Sequence, residues 1–316
     1  MNNNIYHKPI LVQEILQLVP GNAKIIVDAT CGTGGHTLAI ARKFQDTRYK
    51  IQTFCIDYDS ESIKVAKKRL EKYSGKIYPV RNSNANITAK QQKIISNGVK
   101  FICDNFTNIK KILSKQKADF ILADLGFSSW QLAQNRGLAF SQNQPLDMRL
   151  NSRLTTTAAD LINHLQETDL ANLIYQNSGE KFSRQITYSI IRKRPIYTTG
   201  KLAEIIQNAI ANRYKKQKIH PATRTFQALR IAVNQELENL EKFLQDATQT
   251  LAKNGILAII TFHSLEEKLV RNYFKKFKKT GDYQIITQQP ISPSSAEIRL
   301  NPRSRSARLR VLKKIV

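Results

Sequence analysis

The chain has 316 residues, enough to bury a sizeable core in one elaborated domain or in two. Three cysteines without C-x-x-C spacing argue against a disulfide scaffold and against a metal site, and no apolar run is long enough for a signal peptide or a membrane span. The formal net charge of +26 favours a polyanionic partner, although the Lys-, Asn- and Ile-rich composition of an AT-rich genome produces a similar balance. These features predict a cytoplasmic protein.

The first half of the chain alternates short β-rich runs with helical patterns. Helices are predicted over residues 36–44 and around residues 63–70. Between the second helix and the third strand, the Asn/Lys/Ser-rich residues 76–97 are interpreted as a surface insertion, helical in part near 89–95. Strands separated by helices indicate βαβ units and a parallel sheet. The predicted strands are residues 24–29, 51–57, 100–104 and 118–124.

Helical patterns take over in the middle of the chain, and the α/β pattern then returns. We expect an inserted helical domain at 136–219 and an α/β domain formed by 1–135 and 220–316. The returning elements are a long amphipathic helix, a fifth strand, another helix and a closing antiparallel pair, at residues 225–253, 255–262, 265–277, 283–287 and 307–315. The predicted fold class is a doubly wound, mostly parallel sheet of seven strands with an inserted all-helical domain.

A glycine-rich turn with the sequence DATCGTGGH joins the first strand to its helix at residues 28–36. Glycines let a ligand approach the backbone, and the open helix N-terminus offers unpaired N–H groups. A dinucleotide fingerprint would need a third glycine where Thr37 stands. The pattern D-x-x-x-G-x-G instead resembles the first motif of class I methyltransferases.

Two further strand ends suit a nucleoside. Asp57 ends the second strand, where a carboxylate accepts both ribose hydroxyls; the alternative is a surface turn residue, since residues 58–60 follow as a natural N-terminal helix cap. After the third strand, Asp104 or Phe106 would flank the adenine, although Phe106 could equally be a core residue. The spacing favours a nucleoside cofactor over a phosphate-rich one.

Asp124 closes the fourth strand, at the edge where open α/β sheets carry their chemistry. A carboxylate there can accept an N–H from an exocyclic amine, which localises the lone pair on nitrogen and orients it. Phe127 or Trp130 could stack on a flipped base. The alternative for Asp124 is a turn cap. Methylation of a pyrimidine carbon would want a cysteine at the catalytic end of the fourth or fifth strand, and the three cysteines lie elsewhere.

Motifs spread over nearly the whole chain closely resemble those of the bacterial small-subunit ribosomal RNA cytosine-N4 methyltransferases. The runs at 145–149 and 220–237 are the most specific. The motifs are DATCGTGGH (28–36), DLGFSSWQL (124–132), RG (136–137), PLDMR (145–149), GEKFSR (179–184), HPATRTFQALRIAVNQEL (220–237), FHSLE (262–266) and NPRSR (301–305).

The resemblance implies transfer of a methyl group from S-adenosylmethionine to the exocyclic N4 amine of a cytosine in the decoding region. It also implies small-subunit rRNA or a ribosomal particle as partner, and a homodimer. Trp130 stands where the family usually has Pro, and Ala133 where Asp is common. The resemblance therefore does not define the geometry of the substrate loop. The cofactor contacts that the resemblance implies are Gly34, Gly35, His36, Asp57, Phe106, Asp124 and Gln131.

Other polar residues admit two interpretations each. Asp147 and Arg149 either position the base or form a local ion pair. His263 follows the fifth strand and either relays the departing proton or is a hydrogen-bonded structural histidine. His220 and Arg224 anchor a helix start or touch RNA. The arginines of residues 301–308 suit phosphate contacts, and the alternative is a solvated loop.

Two other functions are also compatible with the sequence. One is a ribosome-assembly factor that uses the fold to bind RNA without catalysis, which the intact glycine turn with Asp57 and Asp124 disfavours. The other is a methyltransferase for a protein or a small molecule, which the basic charge disfavours. The candidate catalytic residues are Asp124, Asp147 and His263.

Overall fold

The computed structural model describes residues 8–44, 51–71, 94–96, 98–214 and 219–316. The chain divides into two compact units. A sheet unit comprises Met1–Ser128 and Asn239–Val316, and a helical unit comprises Ser129–Glu238.

The sheet unit is built on one mixed sheet in the strand order β3-β4-β2-β1-β5-β6-β8-β7. The central strands β4, β2, β1, β5 and β6 are parallel, and the other three pair antiparallel. The strand order reverses its direction at β1, so β1 and β5 flank the switch point. The strands are β1 Ile25–Asp28, β2 Gln52–Asp57, β3 Ile94–Ser96, β4 Val99–Cys103, β5 Ala118–Asp124, β6 Leu251–Thr261, β7 Tyr283–Ile285 and β8 Arg308–Lys314.

The described residues also form thirteen α-helices. Two short 3-10 helices, Phe106–Asn108 and Pro302–Ser306, accompany them. The α-helices are α1 Val12–Leu18, α2 Gly35–Lys43, α3 Ser60–Glu71, α4 Ile109–Leu113, α5 Ser129–Ala133, α6 Ala158–His164, α7 Glu167–Ser178, α8 Ser183–Ile191, α9 Thr199–Tyr214, α10 Thr223–Asn234, α11 Glu236–Thr250, α12 Ser264–Lys278 and α13 Ser295–Leu300.

The central strands are mostly apolar in their middle because both faces of the sheet are covered. Successive side chains of a strand point to opposite faces. Val27 and Ile121 therefore pack with Phe243, whereas their neighbours Ile26 and Phe120 pack into a separate cluster. The predicted doubly wound, mostly parallel sheet is confirmed, with the short strand β3 as an eighth member among the described residues.

The segment predicted as an insertion contains that eighth strand. Residues 94–96 pair antiparallel with β4, with Ile95 opposite Lys100. Two β-branched isoleucines in this strand favour extended backbone. The helical interpretation is therefore wrong for residues 94 and 95, which belong to the stretch predicted to be helical in part. Residues 76–93 and 97 of the predicted insertion lie outside the described residues.

The long helix predicted over 225–253 is two helices. Gln235 has a left-handed backbone (φ 50°) that ends α10, and α11 begins at the next residue. A left-handed residue cannot continue the right-handed ladder. The following strand starts at Leu251 rather than 255, and its register shifts where Asn254 (φ 63°) precedes Gly255. This irregularity is typical of a β-bulge.

The helical unit is larger than the expected 136–219. It takes in α5 and α10, because Phe226 and Leu229 of α10 pack with Ile174 of α7 and Ile186 of α8 in one apolar cluster. Within the described residues, none of the helices combines the length and hydropathy that a membrane-spanning segment needs.

Candidate active site

The site candidates of the sheet unit meet at the carboxyl ends of the parallel strands. Asp28 ends β1 and pairs in register with Cys55 of β2 and Leu122 of β5. Asp57 and Asp124 end those two neighbours. Ligands of doubly wound sheets bind in the crevice at such a switch point.

The glycine-rich turn has a left-handed backbone at Gly32 (φ +51°) and Gly34 (φ +77°). A Cβ at Gly34 would lie 2.8 Å from the Leu70 Cδ1 atom and 3.2 Å from the Ala66 Cβ atom of α3, so a side chain here would force these residues to shift. A Cβ at Gly32 would meet nothing within 4 Å, which leaves that side of the turn open. At Gly35, a Cβ would press on Pro9 at 3.1 Å. The turn thus brings backbone to an open space at the start of α2.

Asp57 is tied to this turn. Its Oδ2 atom accepts the Gly32 N–H at 2.8 Å, and its Oδ1 atom accepts the Asp59 N–H at 2.8 Å. Burial raises the pKa of the Asp57 carboxyl to about 7, although these two hydrogen bonds oppose the shift. Contacts with the start of α3 come instead from Asp59, which accepts the Glu61 N–H at 3.2 Å and the Ser62 hydroxyl at 3.0 Å. Asp57 therefore shapes the glycine turn, and capping falls to its neighbour.

Asp124 lies against His36, the last residue of the glycine motif. The His36 Nε2 and Asp124 Oδ2 atoms are 3.4 Å apart, and the two side chains are only 6% and 9% exposed. The Asp124 N–H donates to the Thr30 hydroxyl at 2.6 Å, which fixes the strand end to the turn. Within the described part of the chain, the buried Asp124 Oδ1 atom has no hydrogen-bond partner. An acceptor of this kind, at the end of a strand that borders the switch point, can accept a hydrogen bond from a ligand.

A second buried carboxylate, that of Asp28, also acts on His36. Asp28 accepts the Thr37 hydroxyl at 2.6 Å through Oδ2. Burial raises the pKa of Asp28. Burial lowers the pKa of His36, but Asp124, Asp28 and Glu297 together outweigh it, so the net shift is upward. Carboxylates that stabilise a buried cation in this way also suit a sulfonium or an amine.

Phe106 follows β4 and starts a 3-10 helix that Asn105 caps, accepting the Thr107 N–H at 3.0 Å. The Phe106 ring packs edge-on against Phe243, with centroids 4.9 Å apart. The Asp104 N–H donates to the Asp57 carbonyl at 3.1 Å, so this segment borders the same edge of the sheet. Phe106 contributes to the core, and its contact with adenine stays a prediction.

Two other candidates belong to the helical unit. Gln131 is buried in α5. Asp147 forms a two-pronged ion pair with Arg149, whose Nε and Nη2 atoms donate at 2.7 and 2.8 Å. Arg149 also donates to the Leu154 carbonyl at 2.7 Å, and desolvation of Asp147 is outweighed by Arg149, which lowers the pKa of the carboxyl. The local ion pair is thus formed, and the positioning of a base remains untested.

His263 has a structural role at the start of α12. Its Nδ1 atom accepts the Glu266 N–H at 3.4 Å, and its Nε2 atom lies 3.2 Å from Glu266 Oε1. The buried Glu266 carboxylate accepts the His263 N–H at 3.4 Å, which completes a capping box, and it also accepts the Phe262 N–H at 2.8 Å. Proton relay by His263 stays a prediction.

His220 and Arg224 also make contacts within the protein. The His220 Nδ1 atom accepts the Ala222 N–H at 3.2 Å, and its ring stacks on Phe140 with centroids 4.6 Å apart. Arg224 lies 3.7 Å from the buried carboxylate of Glu180. These contacts agree with a helix anchor.

The arginine-rich segment after α13 is a surface feature. Arg303 and Arg305 are exposed on the second 3-10 helix, whereas Arg308 donates to the Ala307 carbonyl at 2.7 Å. Phosphate contacts of this segment stay a prediction.

Sequence reasoning missed three residues that organise the site. The Thr30 hydroxyl accepts the Asp124 backbone N–H, and the Thr37 hydroxyl donates to the Asp28 carboxylate; the only signal for these two residues was their place in the glycine-rich motif. Glu297 bonds the Leu11 N–H at 2.9 Å and raises the pKa of His36. It lies far along the chain, and no local pattern connects it with the first turn.

Comparison with known proteins identifies the family to which the chain belongs. The family model described as the MraW methylase family matches residues 4–315. A relative from Sulfurihydrogenibium sp. (strain YO3AOP1), named ribosomal RNA small subunit methyltransferase H, is 39% identical over 99% of this chain and 98% of its own length. A protein of the same name from Gloeothece citriformis is 40% identical over 96% of this chain and 93% of its own length.

Among solved structures, an rRNA methylase from Streptococcus thermophilus aligns with 97% of this chain and 95% of its own, at 11% identity and a TM-score of 0.44. A likeness this distant carries no weight for function. The family model and the relatives match nearly the whole chain, and on that basis the chain belongs to the MraW methylase family.

Proposed function

We propose that this chain transfers a methyl group from S-adenosylmethionine to the exocyclic N4 amine of a cytosine in the decoding region of small-subunit rRNA. The main support for this proposal is the environment of Asp124 at the end of β5. One of its carboxylate oxygens lies against His36, and the other is buried without a described hydrogen-bond partner. Family membership and the printed names of the relatives support the rRNA substrate.

The residues of the sheet unit fit the cofactor. The side of the turn at Gly32 is open, and the Asp124, Asp28 and Glu297 carboxylates that raise the pKa of nearby His36 favour a cationic group. S-adenosylmethionine would supply an electrophilic methyl group on its sulfonium. Asp57 would accept the ribose hydroxyls. The residues proposed to hold the cofactor are Gly34, Gly35, His36, Asp57, Phe106, Asp124 and Gln131.

Asp124 is the proposed catalytic residue for the amine. Its free Oδ1 atom would accept one N–H of the cytosine amine, which draws electron density onto nitrogen and fixes the direction of the lone pair. His36 and the Thr30 hydroxyl hold the aspartate in place, so the acceptor needs little reorganisation when the amine arrives. Asp147 and His263 remain secondary candidates, since each is engaged in a protein contact.

The helical unit is proposed to contribute to substrate recognition, and the partner is proposed to be a ribosomal particle or its rRNA. We also propose a homodimer, on the resemblance to the family alone. Light scattering coupled to size-exclusion chromatography tests the dimer directly. A mass of one chain across the concentration range would refute it.

A transfer assay tests the function. Tritiated S-adenosylmethionine and the purified protein are incubated with small-subunit particles that lack the modification, with naked small-subunit rRNA and with RNA-free lysate. We expect label in the rRNA and N4-methylcytidine in its nucleoside digest. Cofactor binding without transfer to any ribosomal substrate would instead indicate a non-catalytic assembly factor, and label in the RNA-free lysate a protein or small-molecule methyltransferase.

A further inference from the structure

One face of α8 in the helical unit carries a row of basic side chains around a tyrosine. Arg184, Tyr188 and Arg192 follow each other at a spacing of four residues, and all three are exposed. Residues four apart on a helix are surface neighbours. The opposite face, with Ile186 and Ile190, is buried. Lys181, which is also exposed and lies just before the helix, extends the row. We call Lys181, Arg184, Tyr188 and Arg192 the α8 row.

The α8 row carries three positive charges, and the segment that contains it has no acidic residue. Residues 181–194 contain five basic and no acidic residues. Glu180, just before them, is fully buried. Among the residues that the structure describes, no carboxylate pairs with Lys181, Arg184 or Arg192. These charges are therefore available to a partner.

Tyr188 is held in the row by a cation. The Arg192 Nη1 atom donates to the Tyr188 hydroxyl at 3.0 Å, and the guanidinium carbon lies 5.5 Å from the ring centroid. The side chain is nonetheless 51% exposed. An exposed ring between arginines matches the platforms of single-strand binding proteins, in which bases stack on aromatic rings and basic groups follow the phosphates.

We propose that the α8 row binds a single-stranded segment of the RNA substrate, with a base stacked on Tyr188 and phosphates on Arg184 and Arg192. The inference rests on the proposed function for the identity of the polyanion. Charge complementarity argues for RNA over a protein partner, because protein interfaces are generally depleted of charge at their centre. Tyr188 is also the only exposed large apolar side chain on the described surface of α8.

Fluorescence anisotropy with a labelled single-stranded RNA of the decoding region tests the proposal. Tyr188→Ala should weaken binding about 5- to 100-fold, as loss of one stacked base does, and Tyr188→Phe should keep most of it. Arg184→Ala and Arg192→Ala should each reduce the slope of log K against log salt by about 0.7. The matched controls are Tyr175→Ala on α7, a tyrosine of similar exposure (58%), and Arg271→Ala on α12, and both should bind like wild type.

Three results would overturn the proposal. RNA binding that is unchanged in Tyr188→Ala and in both arginine variants is one. An equal loss in the Tyr175 control is another. A third is a change of oligomeric mass in Tyr188→Ala with intact RNA binding, which would make the row a contact between copies of the chain. Because binding is measured without methyl transfer, wild type that binds RNA through the row but methylates nothing would refute the proposed function alone.

Discussion

Asp124 and Asp28 are the two carboxylates of the site whose Oδ1 atoms are buried without a described partner, and their surroundings separate their roles. Asp28 is 1% exposed and accepts a hydrogen bond from the Thr37 hydroxyl, so it belongs to the interior of the sheet unit. Asp124 ends its strand beside His36, at the carboxyl edge of the sheet where ligands of such folds bind. The distinction supports a chemical role for Asp124 and an electrostatic one for Asp28.

Asp124→Asn keeps the shape of the side chain and removes its charge. We expect kcat for methyl transfer to fall by at least about 100-fold, because the amide is a poorer acceptor for the amine N–H. The Kd for S-adenosylmethionine should change much less. Steady-state kinetics and calorimetry measure the two. Asp119→Asn is the matched control at the other end of β5, where the carboxylate bonds the Lys24 and Ile25 N–H groups, and it should leave kcat unchanged. A normal kcat in Asp124→Asn would exclude the proposed role.

The raised pKa of Asp57 predicts pH-dependent cofactor binding. Ionised carboxylate accepts ribose hydroxyls more strongly than the neutral acid. With a pKa of about 7, the Kd for S-adenosylmethionine should therefore decrease from about pH 6 to about pH 8. In the protein without bound cofactor, ionisation of Asp57 has the opposite effect on folding stability. Ionisation is penalised in the folded state, so the free energy of unfolding falls as pH rises from the ordinary value of 3.8 towards 7.

Calorimetry across this pH range checks the binding prediction, with Asp57→Asn as the comparison. The variant should bind more weakly and lose the part of the pH dependence that Asp57 contributes. The same slope in both proteins would show that another group titrates. A slope of the opposite sign in wild type would contradict ribose binding by the ionised carboxylate.

At the scale of elements, the glycine turn needs residues that adopt a left-handed backbone and that leave space for neighbouring groups. Substitutions at different glycines can separate these two requirements. Gly34→Ala meets both left-handed strain and the contact with Leu70, so we expect a loss of about 2 kcal/mol or more in the free energy of unfolding. Gly32→Ala carries the strain alone, about 1 kcal/mol, but its Cβ enters the open space and should weaken cofactor binding.

Denaturant unfolding and calorimetry measure these two effects. Gly21→Ala is the control, because its Cβ would meet nothing within 4 Å and its backbone is not left-handed. It should change stability by less than about 0.5 kcal/mol. Cofactor affinity that is unchanged in Gly32→Ala would place the ligand away from this turn.

The sequence sufficed for elements whose signal is local and periodic. The buried parallel strands and the glycine turn were predictable because their signals, an apolar run and a cluster of glycines, lie in a few consecutive residues. The break at Gln235 was not, since glutamine carries no preference for the left-handed backbone it adopts there. Similarly, the capping role of His263 depends on the buried Glu266 carboxylate, and burial cannot be inferred from the spacing alone.

At the scale of the whole molecule, charge governs the encounter with RNA. With a net charge of +26, binding to small-subunit rRNA should be dominated by counterion release. We expect affinity to fall at least about tenfold between about 50 and about 200 mM salt, while S-adenosylmethionine binding changes little. Filter binding over a salt series measures this. A flat salt dependence would indicate recognition without phosphate contacts.

The most direct test of the central claim is mass mapping of small-subunit rRNA from cells that lack the protein, complemented with wild type or with Asp124→Ala. We expect one cytosine N4-methyl group to disappear in the deletion, to return with wild type and not to return with Asp124→Ala. A methylation pattern that is unchanged by the deletion, or fully restored by Asp124→Ala, would contradict the claim.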